Sequence, residues 1–311
     1  MRILVVGAGA IGGYFGARLA EAGRDVTFLV RERRARELAR RGLSVRSPRG
    51  DVHLARPTTV QAKDLSAPFD LILLSCKAYD LDGAIESLSP AVGAETAILP
   101  LLNGMRHLDT LDGRFGPDRV MGGLCFISAT LDGEGRVLHL NDAHTLVYGP
   151  RGAWPASRTD RVSAALSGAN FDARLSSNIA LDMWEKWVLI AGTAGITCLM
   201  RASVGDIVAA GGGELASALL DECASIAAAN DFPLPAAHLA RAHRTVTAEK
   251  SPIKASMLRD IERGAPTEGD HILGELIHRS PQALPVPILR IAYTHVKAYE
   301  IARRSAASPT S

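Results

Sequence analysis

At 311 residues the chain is long enough for two ordinary domains, and 47% hydrophobic with 22% charged residues is the composition of a globular protein with a sizeable core. A formal net charge of +2 and only 5% aromatic residues supply neither the basic footprint nor the stacking surface of a nucleic-acid binder. The four cysteines, Cys76, Cys125, Cys198 and Cys223, match no disulfide or zinc-ligand spacing, so reduced thiols in a cytoplasmic protein are expected, with no metal.

The first element, Arg2–Val6 (RILVV), is a β-branched run suited to a buried parallel strand. It runs into GAGAIG (Gly7, Ala8, Gly9, Ala10, Ile11, Gly12) and then a helical pattern that closes at Gly23. The recurring glycines mark this stretch as structure rather than a signal peptide. Gly7 permits a tight turn, Gly9 lets the backbone approach a pyrophosphate, and Gly12 lets helix and strand pack closely. The helix N-terminus supplies unpaired N–H groups for phosphates. The G-x-G-x-x-G spacing is weak evidence alone; between a strand and a helix it predicts dinucleotide binding.

The second strand, Asp25–Val30, ends at Arg31, where NAD-binding proteins usually place an acid. A guanidinium pairs with a 2′-phosphate, so NADPH is favoured over NADH; Glu32 beside it keeps a ribose-reading carboxylate open. The run to Arg41 interleaves acids with bases and reads as a solvated helix. FDLILLSCKA (69–78) and TAILPLLNG (96–104) read as further strands, whose ends present Lys77 and Asn103 at the ligand-binding edge of a doubly wound sheet. Val120–Tyr148 reads as antiparallel strands finishing that sheet, and Thr159–Ala169 as a helix leading out of it.

After Ser177 strand signals vanish. Ile179–Met200, Glu214–Asn230, Ala236–Glu249 and Val286–Arg304 are apolar-periodic helices, with a glycine loop at 211–213 and a frayed tail, SAASPTS. The expected architecture is α/β: a Rossmann-type doubly wound parallel sheet in residues 1–177 and an all-α domain in 178–311, with a site in the cleft between them. Trp187–Met200 carries no charge, but its 14 residues are too few to span a bilayer. Lys186, between Trp184 and Trp187, therefore stands out at the start of a buried helix. His271 and His278, with Glu275 between them, form no metal motif.

GAGAIGG with Arg31, Lys77, NGM at Asn103, MWEKW at Lys186, and SMLRDIERGAPTEGD, with Ser256 and Glu268 12 residues apart, follow in an order that resembles the ketopantoate reductases (2-dehydropantoate 2-reductases) over essentially the whole chain. The resemblance implies NADPH-dependent reduction of a 2-oxo acid, a small-molecule substrate, to a 2-hydroxy acid. Lys186 is then the general acid and Glu268 faces cofactor and active site. Asn103 lies between cofactor and substrate, Ser256 bonds the substrate, and Lys77 lines the same cleft. Monomer and homodimer both remain open.

The family pattern breaks at Ile190, Ala194, Val204 and Leu273, where the resemblance implies asparagines. The reaction class survives these changes, but the substrate is left open among ketopantoate, another oxo acid or a related carbonyl. A non-catalytic NADP-binding sensor is the reading of a different class. Thr193 and Thr197 lie within about 20° of Lys186 on the helix face. They either offer hydroxyls to substrate or bond back to the preceding turn.

Overall fold

The computed structural model describes residues 1–307. Met1–Leu102 and His107–Ala180 make one unit; Asn103–Arg106 and the chain from Leu181 onward make another.

The first unit contains β1 (Arg2–Val6), α1 (Ala10–Glu21), β2 (Asp25–Leu29), α2 (Glu32–Arg41), β3 (Leu43–Arg46), β4 (Val52–Leu54), β5 (Thr59–Val60), β6 (Leu71–Leu74), α3 (Leu81–Leu88) and β7 (Ala97–Pro100). Then come α4 (Arg106–Phe115), β8 (Gly122–Leu131), β9 (Val137–Gly149), α5 (Ala156–Leu166) and β10 (Asp172–Leu175). One sheet has the order β5-β2-β1-β6-β7 and is parallel throughout. Every residue of β6 and β7 is buried, as strands covered on both faces require.

The antiparallel strands do not finish this sheet. β8 and β9 form a second sheet, ordered β10-β9-β3-β4 with β8 also on β9, and an isolated bridge, Ile98↔Val120, joins the β7 strand to the residues before β8. The 13-residue β9 is long enough to take β8 on one edge, and β10 and β3 at separate stretches of the other. β3, β4, β5 and β10 have two to four residues each, too short for a periodic pattern to be read along the sequence. Helix α1 fills the space between the sheets. A methyl on Gly16 would meet the Phe28 ring of β2 at 2.5 Å, and one on Gly13 would meet Val137 of β9 at 2.9 Å.

The second unit is helical: α6 (Ile179–Met200), α7 (Val204–Ala209), α8 (Gly213–Ala229), α9 (Ala236–Val246), α10 (Ser256–Glu262), a π-helical turn (Asp270–Gly274), α11 (Glu275–His278) and α12 (Pro287–Ala307). Helix α6 approaches its neighbours closely because it has no side chain at two contact points. A Cβ on Gly192 would lie 2.9 Å from Leu220, and one on Gly195 would lie 2.8 Å from Leu219 and 3.6 Å from Ala292. Trp184 packs on Trp187 and on Phe232, with ring centroids 5.0 and 5.7 Å apart. Gly213 opens α8, so the glycine loop is shorter than expected. The tail is helical through Ala307, and residues 308–311 lie outside the described residues. Among the described residues no helix is long and apolar enough to cross a membrane.

Candidate active site

In the first unit, β1 passes directly into the glycine turn. Gly7 has φ +92°, a conformation that a side chain would strain, and its N–H donates to the Leu29 carbonyl at 3.0 Å. Gly9 caps α1, and a Cβ there would meet nothing within 4 Å. Gly12 has no such room, since a methyl would overlap Ser75 Oγ and the Gly7 carbonyl oxygen. Ser75 Oγ donates to the Val6 carbonyl at 2.9 Å, sealing the β6 end against the turn. Ala8, Ala10 and Ile11 complete an N-terminus with no acid in its first turn. Open space at Gly9 before uncapped N–H groups fits a dinucleotide pyrophosphate.

Arg31 precedes α2 and is 79% exposed; its guanidinium donates to Asp80 Oδ1 at 2.7 Å. Glu32 turns back along its own helix to Arg36 at 3.2 Å. Half-buried Lys77 precedes the 3₁₀ turn Ala78–Asp80, and its carbonyl accepts from the Asp80 N–H at 2.9 Å. Sequence reasoning missed Arg34. Rather than lying on a solvated face, its guanidinium donates to the Ala8 carbonyl at 3.1 Å and to the Gly135 carbonyl at 2.9 Å, bracing the glycine turn. Gly135 lies 101 residues away, in the β8–β9 loop, so no local pattern signals the contact.

In the second unit Lys186 is 9% exposed, and its Nζ donates to Asn103 Oδ1 at 2.9 Å. Beside it, Trp187 Nε1 donates to the Ile272 carbonyl at 3.0 Å, fastening α6 to the π-helical turn. Glu268 is 8% exposed, and its carbonyl accepts from the N–H groups of His271 and Ile272 at 3.1 and 2.9 Å. His271, which the sequence placed in no metal motif, hydrogen-bonds the Asn103 main chain. Burial holds this imidazole below its ordinary pKa; Glu268 and Glu275 pull it upward, and Arg106 adds to the depression. Asn103, Lys186, Glu268 and His271 thus come from three separate stretches of chain. Glu185, next to Lys186, turns instead to His238 Nδ1 at 2.9 Å.

Of the two courses open to Thr193 and Thr197, the hydrogen bonds present are those back to the preceding turn. Thr193 donates to the Leu189 carbonyl at 2.8 Å and Thr197 to the Thr193 carbonyl at 2.7 Å, so both hydroxyl protons stay within α6. Fully buried Thr197 also accepts from Ala255 N at 3.4 Å, tying α6 to the residue before Ser256. Ser256 itself opens α10 and is exposed. Ala194, Val204 and Leu273 are buried and Ile190 half-buried.

The family model for ketopantoate reductase PanE/ApbA matches residues 3–152, and that for its C-terminal part matches residues 178–300. The chain belongs to the ketopantoate reductase family. It is 39% identical over 305 residues to the uncharacterized oxidoreductase YkpB of Bacillus subtilis, covering 96% of this chain and 99% of that one. Among solved structures, 2-dehydropantoate 2-reductase from Geobacter metallireducens is similar with a TM-score of 0.88 and 27% identity, over 96% of this chain and 99% of the other. D-mandelate dehydrogenase with NADH and anilino(oxo)acetate shares the fold, with a TM-score of 0.86 and 21% identity over 98% of this chain and all of that one. Family membership makes this chain an oxidoreductase, and the α/β-plus-helical architecture is that of the family's solved structures.

Proposed function

We propose that the protein reduces a 2-oxo acid to a 2-hydroxy acid with NADPH, and that Lys186 is the general acid. The observation that carries this reading is the nearly buried Lys186 ammonium bonded to Asn103 Oδ1 at 2.9 Å, where burial needs a reason. A reduced nicotinamide supplies the hydride when bound. Lys186 holds a proton at Nζ for the carbonyl oxygen that gains negative charge, which is worth ~10²–10⁴ in rate. Asn103 aims the ammonium, and the Glu268 carboxylate counters its desolvation. The Gly7–Gly12 turn receives the pyrophosphate and Arg31 the 2′-phosphate; Lys77, Asn103 and Glu268 face the cofactor, and Ser256 the substrate. Residues 1–177 act as the NADP-binding domain and 178–311 as the substrate domain.

Ketopantoate is the first substrate to test, its product serving pantothenate biosynthesis in the cytoplasm. A second reading, a related enzyme of different substrate, is favoured by apolar Ile190, Ala194, Val204 and Leu273. A pocket lacking hydrogen-bonding side chains discriminates weakly in favour of a hydroxylated substrate. The test is cofactor oxidation by wild type and Lys186→Ala with ketopantoate and a panel of simpler 2-oxo acids, each with NADPH and NADH. Turnover that falls at least a hundredfold in K186A, with NADPH binding retained, supports the acid role. Turnover unchanged in K186A refutes it, and the substrate reduced fastest decides between the readings.

A further inference from the structure

Lys186, Asn103 and the π-helical turn are closed into one circuit. Lys186 Nζ bonds Asn103 Oδ1 at 2.9 Å, His271 bonds the Asn103 main chain, Ile272 follows His271, and the Ile272 carbonyl accepts from Trp187 Nε1 at 3.0 Å, next to Lys186. Asn103 precedes Gly104, whose φ of +75° sets the direction of the chain on leaving it. The fit there is tight: a Cβ on Gly104 would lie 2.8 Å from the His271 carbonyl oxygen, 3.0 Å from its Cδ2 and 3.4 Å from its Nε2. The Cδ2–Nε2 edge of the imidazole therefore faces this segment.

We infer that His271 is a positioning residue, holding the Asn103 main chain so that its amide oxygen stays on the Lys186 ammonium. Three features point to this role rather than to simple core filling. The ring is polar, almost fully buried and directed at the main chain of a residue that contacts Lys186. The π-helical turn is a departure from regular helix, and Gly269 and Gly274 let it settle on α12: methyls there would meet Val296 at 2.5 Å and the Tyr293 ring at 3.0 Å. The imidazole is also kept neutral by burial, so it orients Asn103 without placing a second cation beside the ammonium, although Glu268 and Glu275 oppose that effect and Arg106 reinforces it. The consequence for turnover rests on the Lys186 reading; the placement of Asn103 does not.

The test is the titration of Lys186 by carbon-13 NMR of the full-length protein labelled at lysine Cε, without substrate, the signal being assigned by its loss in K186A. An amide acceptor stabilises the ammonium, so losing it raises the acid dissociation constant of Lys186 about threefold or more. H271L and N103A should each show this, and N103A/H271L should move no further than N103A alone. H271Q, which keeps an N–H of similar reach, should titrate like wild type and serves as the readout if H271L does not fold. The inference is overturned if N103A shifts the titration while H271L leaves it unchanged, if the two effects add, or if H271Q behaves like N103A. Turnover of the same variants separates the two ideas: a shifted titration with unchanged rates would sink the general-acid reading and leave the positioning role intact.

Discussion

Alanine at Gly9 and alanine at Gly12 should have opposite consequences, although the two positions are three residues apart in one motif. At Gly12 the new methyl would overlap Ser75 Oγ and the Gly7 carbonyl oxygen by roughly 1 Å or more, against ordinary contacts of ~3.5 Å. Ser75 can turn away only by giving up its bond to the Val6 carbonyl, about 0.5–1.5 kcal/mol. The Gly7 carbonyl is main chain and cannot yield, so the start of α1 must lift from β1, an overpacking cost of about 1–3 kcal/mol. Together G12A should lose about 2–4 kcal/mol of stability. At Gly9 the backbone has φ −85°, open to any residue, and a methyl meets nothing within 4 Å. G9A should cost no more than about 1 kcal/mol, the difference between glycine and alanine at a helix cap. Its methyl should instead stand where the pyrophosphate approaches, weakening NADPH binding at least tenfold. Urea unfolding and NADPH fluorescence titration measure the two effects. Wild-type stability in G12A would refute the packing argument, and wild-type NADPH affinity in G9A would remove the pyrophosphate from this turn.

Cofactor choice gives the next test. R31A should weaken NADPH and leave NADH unchanged. D80N should tighten NADPH by up to roughly fivefold, the range of an exposed ion pair, with a gain that shrinks in high salt; equal effects on both cofactors would contradict this. T197V should lower stability by about 0.5–1.5 kcal/mol and leave the KM of the best oxo acid alone, because the hydroxyl serves the helix and Ala255; a raised KM with unchanged stability would return Thr197 to the substrate. His144, held below its ordinary value of about 6.5 mainly by burial, accepts or donates at Tyr14 Oη across 2.8 Å. The unfolded chain therefore takes up its proton first as pH falls, so stability is full above about 6.5 and declines below it until the folded-state pKa is reached. Wild type should lose more stability than H144Q between about pH 7.5 and 5.5 in urea titrations, and parallel losses would refute the assignment.

The elements that could be read along the chain are those whose own residues carry the reason for them. RILVV and the glycine turn, the helix Ile179–Met200 with its uncharged stretch Trp187–Met200, and the arginine-rich helix after Arg31 announce themselves through local periodicity, local sterics and local charge. The motifs that resemble the family could be read for the same reason, and with them membership of a family of oxidoreductases. What tertiary structure decided are pairings that no local pattern contains. β9 drew β3, β8 and β10 into a second sheet because a strand's edge is satisfied by whichever segment folds against it. Arg34 left its solvated face for the part-buried carbonyls of Ala8 and Gly135, acceptors that only the fold brings within its reach. Thr193 and Thr197 had a free choice between substrate and their own helix until packing closed α6 against its neighbours. His271, unremarkable between Asp270 and Ile272, acquired its partner only when a stretch 168 residues earlier in the chain came to rest on it. Sequence by itself determined the elements and the chemistry available to them; the fold decided which donor meets which acceptor, because burial removes water as the alternative partner.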